Sequence, residues 1–323
     1  MLRSILLYLS QAGWARNIIT GWSVSRRAAA RFIAGEKLDD AIKVVNTLNR
    51  IGINATLDHL GEHTSTLEKS RQATEEIIAT LRRIDQEKVR SNVSIKLTQI
   101  GLALDETVCE ENLDAILHAA VELGNFVRID MEDSHWVPAT ISLFSSMQGR
   151  FGGEHVGLVI QSYLYRSLED VQKLLQTGSR IRICKGAYDE PEQVAFPKKQ
   201  DVDENFDRIV KELFSGSVLH GTPPISENGK IPPIPAIATH DEHRINHAIQ
   251  FAEEAKLPKR ALEFQMLHGI RRDLQEGLAE RGYPVRVYVP FGTEWYPFYI
   301  RRLAERPANL WFFISNFFKK GSK

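Results

Sequence analysis

Short apolar runs rich in β-branched residues alternate along the chain with longer stretches in which apolar side chains recur every three or four positions. Runs of four to six such residues read as strands, and the longer periodic stretches read as amphipathic helices. The pattern predicts strands at 54–58, 93–97, 126–131, 156–161, 180–185, 236–239, 262–266 and 286–290. Helices are predicted at 66–85, 111–123, 136–147, 168–175, 204–214, 242–255, 271–280 and 294–305. Such alternation calls for parallel strands joined by crossover helices. Eight strands are the number that closes an α/β barrel of the (β/α)8 TIM type. Residues 1–50 read as an N-terminal helical arm outside the repeat, 51–309 as the catalytic barrel, and 310–323 as an aromatic and basic tail.

Two long connections fall on opposite faces of such a barrel. Residues 215–235, with Pro223-Pro224, Pro232-Pro233 and Pro235, lead from a helix into the sixth strand. That puts them at the N-terminal face, which serves stability and not chemistry, and they read as a mobile surface loop. Residues 188–201 follow the fifth strand and open on the catalytic face, where a lid or cofactor-covering loop is expected.

Composition narrows the class. A chain of 323 residues suggests about two average domains, but barrels use about 250 residues as one unit. Lysine and arginine total 41, as do aspartate and glutamate. No net positive field therefore gathers phosphate backbones, and nucleic acid is not expected as a partner. Cys109 and Cys184 lie far apart with no CxxC pair, which points to a reducing cytoplasm. The first apolar run, Ile5-Leu6-Leu7-Tyr8-Leu9, is too short for a secretory core. No run approaches the roughly 18 apolar residues of a spanning helix. The tail, with Leu310-Trp311-Phe312-Phe313-Ile314, Phe317-Phe318 and Lys319-Lys320, reads as a closing helix on the barrel or on a second copy in a homo-oligomer. Its alternative is a peripheral contact with the inner face of the cell membrane.

The chemistry is expected at the strand C-termini, where polar side chains need an explanation. Lys96, Asp130, Gln161, Arg182, Lys185, Thr239, His240, Gln265 and Tyr288 all fall there. Any one of them alone could belong to a structural ion pair. Several charges of both signs converging on one mouth make a site. Three cations around one anion suit an anionic substrate or an electron-rich cofactor better than a metal. His243 and His247 have helical ligand spacing, but no HExxH motif surrounds them and Asp241 reads as a helix N-cap, so no metal is assigned. Neither GxGxxG nor a Walker A loop is present. Cys184 reads as barrel packing. These residues also leave open a Schiff-base aldolase-like barrel using Lys96 or Lys185, and a non-catalytic amino-acid-binding barrel.

Val93-Ser94-Ile95-Lys96-Leu97-Thr98-Gln99, Arg128-Ile129-Asp130-Met131-Glu132-Asp133 and Lys185-Gly186-Ala187-Tyr188 resemble the proline dehydrogenase family. Ala238-Thr239-His240-Asp241, Glu263-Phe264-Gln265-Met266-Leu267 and Arg301-Arg302-Leu303-Ala304-Glu305-Arg306 extend the resemblance in family order, from about residue 30 to 310. The chain length is similar to the monofunctional bacterial form. The resemblance implies FAD-dependent oxidation of L-proline to Δ1-pyrroline-5-carboxylate, with hydride passing from C5 to flavin N5 and electrons to a membrane quinone. This is the first step of proline catabolism to glutamate.

It further implies roles for individual residues. Met131, Gln161, Arg182, Lys185, Gly186, Ala187, Thr239, His240 and Gln265 match FAD-contacting positions. Lys96, Arg301 and Arg302 match the residues that hold the proline carboxylate, with Tyr288 shaping the pocket. Asp130 and Arg182 match catalytic positions. If Arg301 and Arg302 grip substrate, the last helix must lie across the mouth, distorting the barrel. One departure is Phe298, where members of the family often carry tyrosine. It bears on the pocket rim and on proline against hydroxyproline.

Overall fold

The computed structural model describes residues 29–61 and 63–305. Eight parallel strands close into a barrel in sequence order: β1 (Asn54–His59), β2 (Ser91–Ile95), β3 (Val127–Ile129), β4 (Val156–Gln161), β5 (Arg180–Cys184), β6 (Pro235–Ala238), β7 (Glu263–Leu267) and β8 (Val285–Phe291), with β8 pairing back onto β1. The crossover helices are α2 (Leu67–Gln86), α3 (Glu106–Glu122), α4 (Val137–Phe151), α5 (Ser167–Leu175), α6 (Lys199–Leu219), α7 (Glu242–Glu254) and α8 (Arg272–Glu280). Two further helices flank them in sequence, α1 (Leu38–Arg50) before the barrel and α9 (Trp295–Glu305) after it.

Alternate strand residues divide the molecule into two environments, because successive side chains point to opposite faces. Ala55, Leu57, Val93, Ile95, Val127, Ile129, Ile181, Ile183, Val287 and Val289 are buried under the helices and form the main apolar core. The opposite face lines the barrel interior, and it is polar to an unusual depth. Near its floor Arg286 donates to Glu263 through Nε (2.8 Å) and Nη2 (3.0 Å), to Ala55 O (2.6 Å) and to Gly229 O (2.7 Å). Arg128 donates to Leu158 O at 3.1 Å and to Arg180 O, and lies over the Phe126 ring. Gly157 makes room for it: a Cβ there would lie 2.6 Å from Arg128 Nη1 and 2.5 Å from Arg180 O. Polar residues in the barrel are thus not confined to the strand C-termini, as the sequence reading assumed. The Arg286 guanidinium is met by carbonyls and one carboxylate, and Arg128 by carbonyls at Nη1, while Arg128 Nη2 meets no partner among the described residues.

Three expectations are corrected by packing. The connection before β6, expected as a mobile surface loop, folds back on itself and caps the barrel floor. Ser226 N bonds Ile231 O (3.0 Å), Asn92 donates to Lys230 O (2.9 Å), and Ile225, Lys230 and Ile234 are buried. Within the expected N-terminal arm, α1 is not outside the repeat. It packs against β8 and β1 with Ala41, Ile42, Val45 and Leu48, in the position a helix after β8 would fill. The expected strands 93–97 and 126–131 both end two residues early. Past Ile95, Gln99 N turns back to Lys96 O (3.1 Å) and Leu102 N to Leu97 O (2.9 Å), so the ladder stops below Lys96. Residues 1–28 and the tail 310–323 lie outside the described residues.

With its outer-ring position taken, α9 goes elsewhere. Trp295, Tyr296, Phe298, Tyr299 and Ile300 form a separate apolar cluster with Ala29, Phe32, Ile33, Leu60 and Ile270, against which Leu267 and Tyr288 pack. Leu60 follows the end of β1, Leu267 ends β7 and Tyr288 lies in the middle of β8, and Arg301 reaches the ring of Tyr188 beyond β5, 5.9 Å from its centroid. The last helix therefore lies over the barrel mouth, as expected.

Candidate active site

Asp130 is the hub of the mouth. It follows β3, where Asp130 N still bonds Ile95 O (2.8 Å) and aims the carboxylate inward. Oδ1 accepts from Arg182 Nη2 and from Ser94 Oγ (3.0 Å), and Oδ2 accepts from Tyr288 OH (2.7 Å) with Lys96 Nζ at 3.3 Å. Arg182 also donates to Ser94 Oγ (3.1 Å) and Gln265 Oε1 (3.3 Å), and its guanidinium lies 5.2 Å from the Tyr288 ring centre. Gln265 is fixed in turn by Glu263 (2.5 Å), which links the mouth to the floor. Sequence reasoning placed Lys96, Asp130, Arg182, Gln265 and Tyr288 together, and they are together.

Burial and neighbours set the charges. Burial alone would raise the Asp130 carboxyl, but Arg182 and then Lys96 outweigh it and hold it below the usual carboxylate value. Burial pushes the Tyr288 phenol well up, helped by Asp130 and Asp58, so it stays a hydrogen-bond donor. Burial would pull the Lys96 ammonium down, yet Asp58, Tyr288 and Asp130 hold it well above its ordinary value. A Schiff-base lysine must be a neutral amine when it attacks, so the aldolase-like reading of Lys96 loses its premise. Lys185 sits between Asp203 (2.5 Å) and Asp241 (2.7 Å).

A second group lies toward β4, β5 and β6. Gln161 donates to Met131 O (3.2 Å), while its buried Oε1 meets no donor among the described residues. An orphan acceptor at a barrel mouth fits a ligand bearing an N–H, such as the imide of a flavin ring. Gly186 has φ +121°, and a Cβ there would lie 2.4 Å from the Tyr163 ring, so this turn admits only glycine. Ala187 follows it, half-buried. Thr239 Oγ1 accepts from Asp241 N (3.1 Å), and His240 Nε2 accepts from Leu267 N (2.9 Å), which leaves that nitrogen without a proton. Asp241 caps α7 through His243 N (3.1 Å), as its position suggested. His247 pairs with Asp207 at 2.9 Å.

Arg301 and Arg302 come from α9. Arg301 lies against Tyr188, and Arg302 lies 5.2 Å from the centre of the Phe298 ring. Phe298 is buried in the apolar cluster of α9, so its ring supports an arginine beside the mouth. The sequence reading missed Asp58, Ser94, Asp203 and the role of Asp241 toward Lys185. Asp58 ends the strand predicted at 54–58 and, like Lys96 and Asp130, is a charged residue at a predicted strand C-terminus.

The family match agrees with this geometry. The proline dehydrogenase family model matches residues 41–314. The chain is 39% identical to Proline dehydrogenase 2 of Bacillus subtilis, covering 98% of this chain and 99% of that one. It is 41% identical to Proline dehydrogenase of Deinococcus radiodurans over 90% of each. The chain belongs to the proline dehydrogenase family. It is an oxidoreductase acting on proline. Among solved structures it is similar to proline utilization A (PutA) from Bdellovibrio bacteriovorus inactivated by N-propargylglycine. The TM-score is 0.78 at 25% identity, and the alignment covers 90% of this chain and 34% of that longer one. The barrel thus corresponds to about a third of a PutA chain. Among the described residues of this family member, no helix is long and apolar enough to cross a membrane.

Proposed function

We propose that the chain oxidises L-proline to Δ1-pyrroline-5-carboxylate with FAD as its resident acceptor, opening proline catabolism toward glutamate. When bound, FAD would supply a two-electron acceptor for the hydride from proline C5. The observation that carries this reading is one buried carboxylate, Asp130, holding Arg182, Lys96 and Tyr288 together beneath a helix that brings two more arginines to the mouth.

The cofactor would be held by Met131, Gln161, Arg182, Lys185, Gly186, Ala187, Thr239, His240 and Gln265. The free Gln161 Oε1 and the side-chain-free turn at Gly186 support that assignment. Lys96, Arg301 and Arg302 would hold the proline carboxylate, since planar guanidiniums give both strength and orientation to a carboxylate. Tyr288 walls the pocket between them. A cationic pocket disfavours the ammonium form of proline, leaving the nitrogen lone pair that hydride departure requires. Arg182 stabilises electron density arriving beside it, and Asp130 fixes Arg182 and Lys96 in place.

Electrons would leave to a membrane quinone. A cytoplasmic protein with its tail on the inner face of the cell membrane fits that acceptor, and deletion of residues 310–323 should weaken liposome association. Equal binding by the truncated protein would remove the tail from the proposal. The deciding experiment is anaerobic titration with L-proline. The visible flavin band should bleach. A protein that shows no such band and gains none with FAD, or whose flavin proline leaves oxidised, refutes the reading.

A further inference from the structure

Asp58 is the most deeply buried ionisable group at the mouth, with 0% side-chain exposure, and neither the family reading nor the cofactor contacts give it a task. It comes from the C-terminal end of β1, below Lys96. Lys96 Nζ lies 3.4 Å from both Asp58 oxygens, 3.3 Å from Asp130 Oδ2 and 3.5 Å from Tyr288 OH. An ammonium has three donors, and here they are spread over three partners at long distances. Asp130 is also engaged by Arg182, Ser94 and Tyr288. Asp58 faces Lys96 with both oxygens, and Lys96 is its one ion-pair partner among the described residues.

We propose that Asp58 is the dedicated counter-ion of Lys96, a positioning residue that keeps this lysine charged and centred in the barrel mouth so that it can receive the carboxylate of the substrate. The proposal rests on the proline reading for what Lys96 binds, and only on geometry for what Asp58 does. Every ionisable group facing Lys96 enters the balance: Asp58 from β1, Asp130 beyond β3, Tyr188 beyond β5 and Tyr288 from β8. Burial is the largest influence on Lys96 and acts to neutralise it. Asp58 is the strongest group opposing that influence; burial raises its own carboxyl, and Lys96 is the strongest group drawing that carboxyl back down. Buried lysines without such a partner lose their charge several pH units early. When Asp58 is neutralised, Lys96 sheds its proton at lower pH, and carboxylate binding weakens as pH rises.

The test uses the FAD-loaded full chain and two readouts. The first is pulsed acetylation with acetic anhydride between pH 7 and 10, followed by mass spectrometry of the peptide holding Lys96. In D58N the acetylation of Lys96 should begin at a clearly lower pH than in wild type, while D58E, which keeps the charge, follows wild type. The second is the binding of cyclopentanecarboxylate, a ring carboxylate with no titrating amine, read from the flavin spectrum. Its Kd should stay level in wild type and rise about tenfold or more from pH 7 to pH 9 in D58N, a decade corresponding to one pH unit of lysine titration. In a K96M background D58N should add nothing. Acetylation profiles that superimpose for wild type and D58N overturn the proposal, and so does an equal loss of binding in the K96M background. If D58N does not fold, the wild-type profile decides: Lys96 acetylating with the pH onset of an exposed lysine refutes the proposal, and a later onset supports it. A wild-type flavin that proline does not reduce defeats the proposed function alone, because the acetylation readout still reports on Asp58.

Discussion

Replacing Glu263 with glutamine isolates the polar floor of the barrel. Glu263 and Arg286 have 0% and 1% side-chain exposure and are joined by two near-parallel hydrogen bonds of 2.8 and 3.0 Å. Glutamine keeps the shape but leaves the Arg286 charge buried without a counter-charge, and its amide nitrogen faces a donor. Breaking a buried pair in this way costs about 3–5 kcal/mol. For a chain of this size each kcal/mol moves Tm by about 2 °C, so E263Q should melt about 6–10 °C below wild type. The assay is far-UV circular dichroism at a fixed, saturating flavin concentration, since bound ligand shifts Tm by mass action. A loss below about 1 kcal/mol, or about 2 °C, would refute the reasoning and show that water reaches the floor. The double variant E263M/R286M should recover only part of the loss. Apolar residues can replace a buried pair, but Arg286 also serves Ala55 O and Gly229 O, and a carbonyl left without a donor costs about 1–3 kcal/mol.

Replacing Arg301 or Arg302 with methionine should raise the KM for proline roughly 10- to 100-fold with flavin still bound, since a charged hydrogen bond is worth about 1.5–3 kcal/mol. An unchanged KM removes these arginines from carboxylate binding. Gly186→Ala should weaken FAD retention at least about tenfold, because the added methyl must displace the Tyr163 ring or the turn; full flavin content after gel filtration would contradict this. Hydrogen bonds and charge from Lys185, with Lys199 assisting, override partial burial and hold Asp203 and Asp241 below the usual carboxylate value of 3.8. Their stabilisation is fully present above pH 3.8 and is lost as pH falls through their depressed values. Lys185→Met should therefore lower the urea midpoint at pH 7 and lose that effect in strong acid; an equal deficit at both would show a packing effect instead. Burial pushes the Cys109 thiol up to about 12, so it should stay unlabelled by a thiol reagent at pH 8 until the chain is unfolded. Rapid labelling of the native protein at Cys109 would contradict that burial.

The family motifs and the period of the strands were legible because both are local. Val156-Gly157-Leu158-Val159-Ile160-Gln161 carries its strand composition on its face, and the strand occupies those six residues. Boundaries were less legible. Glu106-Thr107-Val108-Cys109 has a weak helical composition, yet α3 begins there because Asp105 accepts from Thr107 N (2.9 Å) and Val108 N (3.2 Å). Lys96 was assigned to a strand and sits beyond one, a difference made by two turn hydrogen bonds that no periodicity reports.

The sequence by itself determined a (β/α)8 barrel, the mouth residues Lys96, Asp130, Arg182, Gln265 and Tyr288, and the family to which they belong. Only the tertiary structure decided that α1 occupies the ring beside β8, which is the physical reason that α9 lies over the mouth as the resemblance implied. Only it decided that Asp58 stands under Lys96, that Asp203 and Asp241 share Lys185, and that the proline-rich connection seals the floor. Periodicity tells which face a side chain takes, and closing a barrel brings residues more than a hundred positions apart within one hydrogen bond. Whether a buried charge is a site or a strut depends on the partner it meets there, and that partner is set by closure and not by spacing along the chain.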